Sequence, residues 1–129
     1  MICRKGLAIR RRSARPKELR PIILAKTLSI SIVFASAAEV DASNIRGAAL
    51  RAMARAVGAL SLKPDLALID GRDVPDGLAC PARAIIGGDA LSMSIAAASI
   101  IAETTRDALM RNPGRGYPQR LCRSRRLCG

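Results

Sequence analysis

The chain has no histidine and no tryptophan, and only Phe34 and Tyr117 are aromatic. Without histidine, Ser-His-Asp and Cys-His catalysis, a His general base and a His-ligated zinc are all excluded. Carboxylates are left as the main groups for chemistry near neutral pH. The scarcity of aromatics argues against single-strand binders that stack successive bases on Phe, Tyr or Trp. The four cysteines, Cys3, Cys80, Cys122 and Cys128, form no C-x-x-C pair, so a zinc ribbon or a thioredoxin-type motif has no support. A Cys122–Cys128 disulfide would be one isolated pair in an Arg-rich tail, and the cysteine usage reads as that of a reducing, cytoplasmic compartment.

Long apolar runs are missing as well. The segment from Leu28 to Ala37, LSISIVFASA, is short of the ~20 apolar residues that span a bilayer, so no membrane association is expected. It follows a basic N-terminus and ends in small residues, which leaves an export signal cleaved after Ala37 or Ala38 as one reading. The preferred reading is a buried strand, because Ile30, Ile32, Val33 and Phe34 are β-branched or aromatic.

What the chain has in excess is positive charge: 22 Lys and Arg against 10 Asp and Glu over 129 residues, a net +12. The length gives room for one domain. Residues 1–20 carry eight basic residues and one acid, residues 21–110 eight and nine, and residues 111–129 six and none. The basicity therefore sits in two ends that flank a nearly neutral middle. Such ends read either as arms for phosphate groups or as Arg-heavy translation of a GC-rich gene outside its frame. The expected organisation is an irregular Arg-rich segment at 1–20, a folded unit at 21–110 and a disordered Arg-rich tail at 111–129.

Within the middle, Asp41, Ser43 or Asn44 can cap a helix whose apolar stripe is Ile45, Ala49, Met53, Ala56 and Leu60. Arg51 and Arg55 lie off that stripe, as a solvated face or, in the minority reading, as phosphate contacts. Pro64 and Asp65 end the helix. LALID is a short buried strand, Gly71 to Pro81 a loop, AIIGGD a further strand, and SIAAASIIAETTRDALM a helix with a small-residue face of Ala96, Ala97 and Ser99. The order strand, helix, strand, loop, strand, helix predicts an α/β layer architecture with an aliphatic core.

Two acids stand out by position. Asp70 closes a buried strand and Asp89 follows Gly87-Gly88, so each carboxylate sits where a strand gives way to a loop, as ligand sites in open α/β sheets do. Hard divalent cations take a few such carboxylates and leave places for phosphate and water. A turn at Asp70-Gly71 and a helix cap at Asp89 explain the same residues without any ligand.

The residues themselves go further. ASAAEVDASNI, PDLALIDGRDVP with CPARAII, and GGDALSMSIAAASIIAETTRDALM together resemble bacterial type 2 ribonuclease H (ribonuclease HII) over residues 21–110. The resemblance implies a ribonuclease H-like mixed sheet flanked by helices. It also implies endonucleolytic hydrolysis of RNA in RNA–DNA hybrids or ribonucleotide-containing DNA, by a monomer that holds Mn²⁺ or Mg²⁺ in four carboxylates. Asp70 in LIDG matches the third acidic ligand, Asp89 in GGDA the fourth, and Asn44 in SNI an asparagine close to the substrate.

The match is partial. The first two ligands are an Asp-Glu pair in a D-E-A-G-R-G motif on the family's opening strand, and nothing in residues 1–20 matches it. Arg12-Ser13-Ala14 stands in place of a D-S-K motif, and Glu103 in place of a lysine. Gly116-Tyr117 is the nearest equivalent of the family's Gly-Tyr-Gly region, while the Gly114–Gly116 GRG lies at the wrong end of the chain. The expectation is an incomplete domain, its opening strand missing, with weak or no nuclease activity. The alternative is a basic nucleic-acid-binding remnant.

Overall fold

The computed structural model describes residues 2–3, 15–111 and 120–124. The element order is β1 (Ile2–Cys3), α1 (Pro16–Lys26), β2 (Thr27–Val33), α2 (Ala37–Gly58), β3 (Ala67–Asp70), β4 (Ala82–Ile85), α3 (Gly88–Leu91), α4 (Met93–Met110) and β5 (Arg120–Ser124). The expected α/β class holds, with helices flanking a small parallel sheet. The antiparallel and parallel pairings fall in two separate ladders, β1-β2-β5 and β3-β4.

β2 is the strand read from LSISIVFASA. Ile30 enters the core, and Ile32, two residues on and on the same face, packs against it. The backbone groups of the strand need partners on both edges. β5 supplies one edge, antiparallel from Ser29↔Ser124 to Val33↔Arg120, and β1 the other, at Ile2↔Ser29 and Cys3↔Thr27. The basic ends were expected to be irregular or disordered. Instead residues 2–3 and 120–124 pair with β2, and Pro16 to Arg20 form the first half of α1. Pro16 sits in the first turn of α1, where a missing N–H has no bond to lose. Arg12-Ser13-Ala14, Gly114–Gly116, Tyr117 and Cys128, one half of the conceivable disulfide, lie outside the described residues.

The core is small and aliphatic: Ile23 of α1, Ile30 of β2 and Ala97, Ile100 and Ile101 of α4, with Leu19, Leu24 and Ile32 packed on it. Ala97 has no exposed surface, so the small-residue face of α4 does bring this helix close to its neighbours. Arg20 completes the α1–α4 contact. Its Nη1 donates to Thr104 Oγ1 at 2.7 Å and to Thr105 Oγ1 at 2.8 Å, both on buried threonines. Thr104 Oγ1 in turn donates a hydrogen bond to the Ile100 carbonyl at 2.7 Å.

α2 differs from its expected form. Its N-cap is Ser36, which accepts from the Glu39 N–H at 3.2 Å while Glu39 Oε2 accepts from the Ser36 N–H at 2.7 Å. This capping box is legible as S-A-A-E. Asn44 then breaks the helix with φ 65 and ψ 165, and its Oδ1 caps the second half by accepting from the Gly47 N–H at 2.9 Å. The apolar stripe expected from Ile45 onward is kept in part: Met53, Ala56 and Leu60 are half-buried, but Ile45 is 77% exposed and Ala49 is exposed, while Ala48 is the buried residue. No helix among the described residues is long and apolar enough to cross a membrane.

Arg20→Met keeps the apolar stem and removes the donors. Hydrogen bonds from a charged group to buried acceptors put the expected loss at about 2 kcal/mol, read as a lower urea midpoint at constant slope. In a double-mutant cycle, Thr105→Val is expected to cost clearly less in the Arg20→Met background than in the wild type.

Candidate metal centre at the ends of two parallel strands

β3 and β4 run parallel in the register Ala67↔Ala82 to Asp70↔Ile85, so both strands finish at the same edge. The ladder extends one step further, with the Gly71 N–H donating to the Ile85 carbonyl at 3.1 Å. Asp70 is the last residue of β3 and is exposed. After β4 the chain reaches Gly87 in the left-handed region, φ 63, which suits a residue without Cβ. That turn aims the Gly88 N–H at Asp70 Oδ1, which accepts at 2.9 Å. Asp89 is the next residue, in the first turn of α3. Asp70 and the turn that carries Asp89 therefore lie at the same end of the two strands. Asp89 is not a cap of α4, whose N-cap is Ser92.

Gly88 is a glycine for a steric reason. A Cβ there would lie 2.5 Å from Ile95 Cδ1 and 3.4 Å from Asp70 Oδ1. The buried Ile95 of α4 thereby sets how close the Asp70–Gly88–Asp89 turn comes to the helix.

Asn44 is placed differently. It is exposed at the corner of α2, and its side chain is engaged with Gly47. Two residues on, Arg46 forms an ion pair with Asp73, in the loop that follows Asp70. The α2 corner is therefore tethered to the loop leaving the strand edge. Arg51 and Arg55 do not simply face solvent: Arg51 bonds the Ser43 hydroxyl, and Arg55 Nη1 meets Glu39 Oε1 at 2.8 Å across the break. Neither link was visible in the sequence, since a straight helix would place residues 39 and 55 roughly 24 Å apart. The Ser36 N–H first, and then the Arg55 guanidinium, hold the Glu39 carboxyl below its ordinary 4.5. Glu103 is exposed on α4.

Comparison with known proteins bears on the same residues. The family model for ribonuclease HII matches residues 4–120. The chain belongs to the ribonuclease HII family. It is 54% identical over 106 residues to the ribonuclease HII of Brucella ovis and to that of Brucella canis, covering 82% of this chain and 48% of each relative. It is 54% identical over 96 residues to that of Brucella anthropi, covering 74% of this chain and 44% of the relative. The chain spans about half the length of these curated relatives. The ribonuclease HII match reaches into both basic ends, beyond the 21–110 limits read from the sequence.

A divalent ion of the ribonuclease HII kind can be tested against the residues present. Asp70 and Asp89 are hard oxygen donors of the right type. Among the described residues no cluster of three or more acidic or cysteine side chains forms, and no Asp-Glu dipeptide occurs anywhere in the sequence. Two carboxylates alone cannot complete a two-ion cage.

Two outcomes check this geometry. Gly88→Ala is expected to destabilise the fold by about 1–3 kcal/mol through overpacking, and Ile95→Val in the same chain, which removes Cδ1, to recover part of that in thermal unfolding. Glu39 titrates below its unfolded value, so its contribution is present above pH 4.5 and lost as the pH falls through the lower folded value. Unfolding midpoints measured down this range should fall more for the wild type than for Glu39→Gln.

Proposed function

We propose that the chain carries the Asp70–Asp89 half of a ribonuclease HII metal site, engages RNA–DNA hybrid or ribonucleotide-containing DNA, and on its own cleaves it weakly or not at all. The observation that carries this reading is the Gly88 N–H to Asp70 Oδ1 hydrogen bond at 2.9 Å, which holds the Asp70 carboxylate against the turn whose next residue is Asp89. In this reading Asp70 and Asp89 would hold Mn²⁺ or Mg²⁺, which supplies a Lewis acid for a phosphoryl oxygen. Gly88 fixes the Asp70 carboxylate through one of its oxygens. Asn44, on the corner tethered by Arg46 to the Asp73 loop, contacts the substrate backbone. The chain acts in the cytoplasm as a monomer.

Weak activity follows from the ligand count. Phosphodiester hydrolysis by two ions about 3.5–4 Å apart needs donors on both, and the chain has no Asp-Glu pair to supply the rest. A second reading, binding without cleavage, is favoured by the charge of the ends, +7 over residues 1–20 and +6 over residues 111–129. It predicts affinity that falls roughly tenfold per tenfold rise in salt for each phosphate contacted.

The test is incubation of the purified chain with a labelled RNA–DNA hybrid and Mn²⁺, alongside Asp70→Asn. Hybrid binding with trace or no cleavage is the expected result. Robust cleavage abolished by Asp70→Asn would overturn the incomplete-site reading. Failure to bind hybrid at low salt would overturn substrate engagement.

A further inference from the structure

Two Asp-Gly dipeptides, Asp70-Gly71 and Asp76-Gly77, lie at the start and in the middle of the stretch between β3 and β4. An aspartate that precedes glycine has a reaction of its own. The backbone nitrogen of the glycine can attack the aspartate Cγ, because no Cβ on the glycine stands in the way. Ring closure needs a carboxyl and an N–H that are both free, and a backbone able to bring them together. By residue type the two dipeptides are equivalent, and both aspartates are exposed.

The fold separates them. At Asp70-Gly71 the N–H donates to the Ile85 carbonyl at 3.1 Å, Asp70 Oδ1 accepts from the Gly88 N–H at 2.9 Å, and Asp70 is held extended in the ladder with β4. Nucleophile and carboxyl are thus committed to different partners. At Asp76-Gly77 neither residue has a hydrogen bond or ion pair among the described residues. Both are exposed in a turn, with Gly77 at φ 73. The loop is anchored just before this turn, where Asp73 pairs with Arg46 and Pro75 is buried. The turn itself has no such anchor.

We infer that Asp76 is a site of spontaneous backbone modification, closing to a succinimide and reopening to isoaspartate, and that the fold shields Asp70 from the same chemistry. In the closing step the bond from Gly77 N to Asp76 Cγ forms, the Cγ–OH bond of the protonated carboxyl breaks, and the hydroxyl leaves as water with the amide proton. Water then adds to one of the two ring carbonyls. Opening at Cγ restores aspartate, and opening at the main-chain carbonyl gives isoaspartate. The second product lengthens the main chain by one methylene, three residues beyond the Asp73 anchor of α2. The inference does not rest on the metal-site reading, since the shielding of Asp70 comes from its hydrogen bonds whether or not an ion binds.

The test holds the full-length chain in warm neutral buffer made with heavy-oxygen water, and in parallel in the same buffer with enough urea to unfold it. Each passage through the ring installs one heavy oxygen. Trypsin cuts after Arg72 and places the two dipeptides in separate peptides, and electron-transfer fragmentation locates the label and tells isoaspartate from aspartate. In the folded chain, label and isoaspartate are expected at residue 76. Asp70 should label about tenfold more slowly or less, because each opening of the strand edge breaks two hydrogen bonds. In urea the two sites should label at similar rates. Asp76→Asn, which expels ammonia in place of water, should speed isoaspartate formation, and Asp76→Glu, whose ring would be six-membered, should abolish it. No label at Asp76 in the folded chain, or labelling of Asp70 as fast as Asp76 there, would overturn the proposal.

Discussion

The guanidinium of Arg20, laid on two buried threonines of α4, is the joint on which this small body depends. The core beneath it holds few large side chains, with Ile23, Ile30, Ile100 and Ile101 around Ala97. With so little apolar area to bury, the orientation of α4 is not settled by packing alone. A directional contact between a charge and two hydroxyls supplies what a larger core would otherwise provide. It also explains why two adjacent threonines are tolerated on the buried face of a helix, since each has a partner.

That joint reaches the strand edge through a chain of contacts. Arg20 sets α4, α4 carries Ile95, and Ile95 fills the space a side chain on Gly88 would need. Gly88 can then bring its N–H to Asp70. The two candidate ligands are thus positioned by the far end of the same helix that forms the core. The opposite wall is organised by a different device: Asn44 breaks α2, and the Glu39–Arg55 pair closes the bend. The break costs backbone strain at a positive φ, offset by the cap that Asn44 gives Gly47 and by the ion pairs across the corner.

Much of this was legible before any coordinates. β-branched residues marked β2, the loop from Gly71 to Pro81 separated two strands, and the alanines of α4 announced a close packing face. The positions of Asp70 at a strand end and of Asp89 after a glycine turn were legible because strand ends and glycine turns follow local rules. The apolar stripe of α2 held only in its second half, where Met53, Ala56 and Leu60 are half-buried; in the turn just after Asn44, Ala48 is buried in place of Ile45 and Ala49. That residues 2–3 and 120–124 pair with β2 was not legible, because charge composition is informative about solubility and partners, whereas strand pairing satisfies backbone groups that every residue carries.

By itself the sequence determined the class of fold, the positions of most strands and helices, the family and the absence of histidine or Asp-Glu chemistry. These follow from residue type and short-range spacing, which act within a few positions along the chain. Only the tertiary structure decided that Arg20 grips Thr104 and Thr105, that Gly88 bonds Asp70, and that Arg55 folds back on Glu39 while keeping one edge of its guanidinium unpartnered. Those contacts join residues between 16 and 85 positions apart. No local propensity encodes them, because their distances are set by how the helices cross and bend.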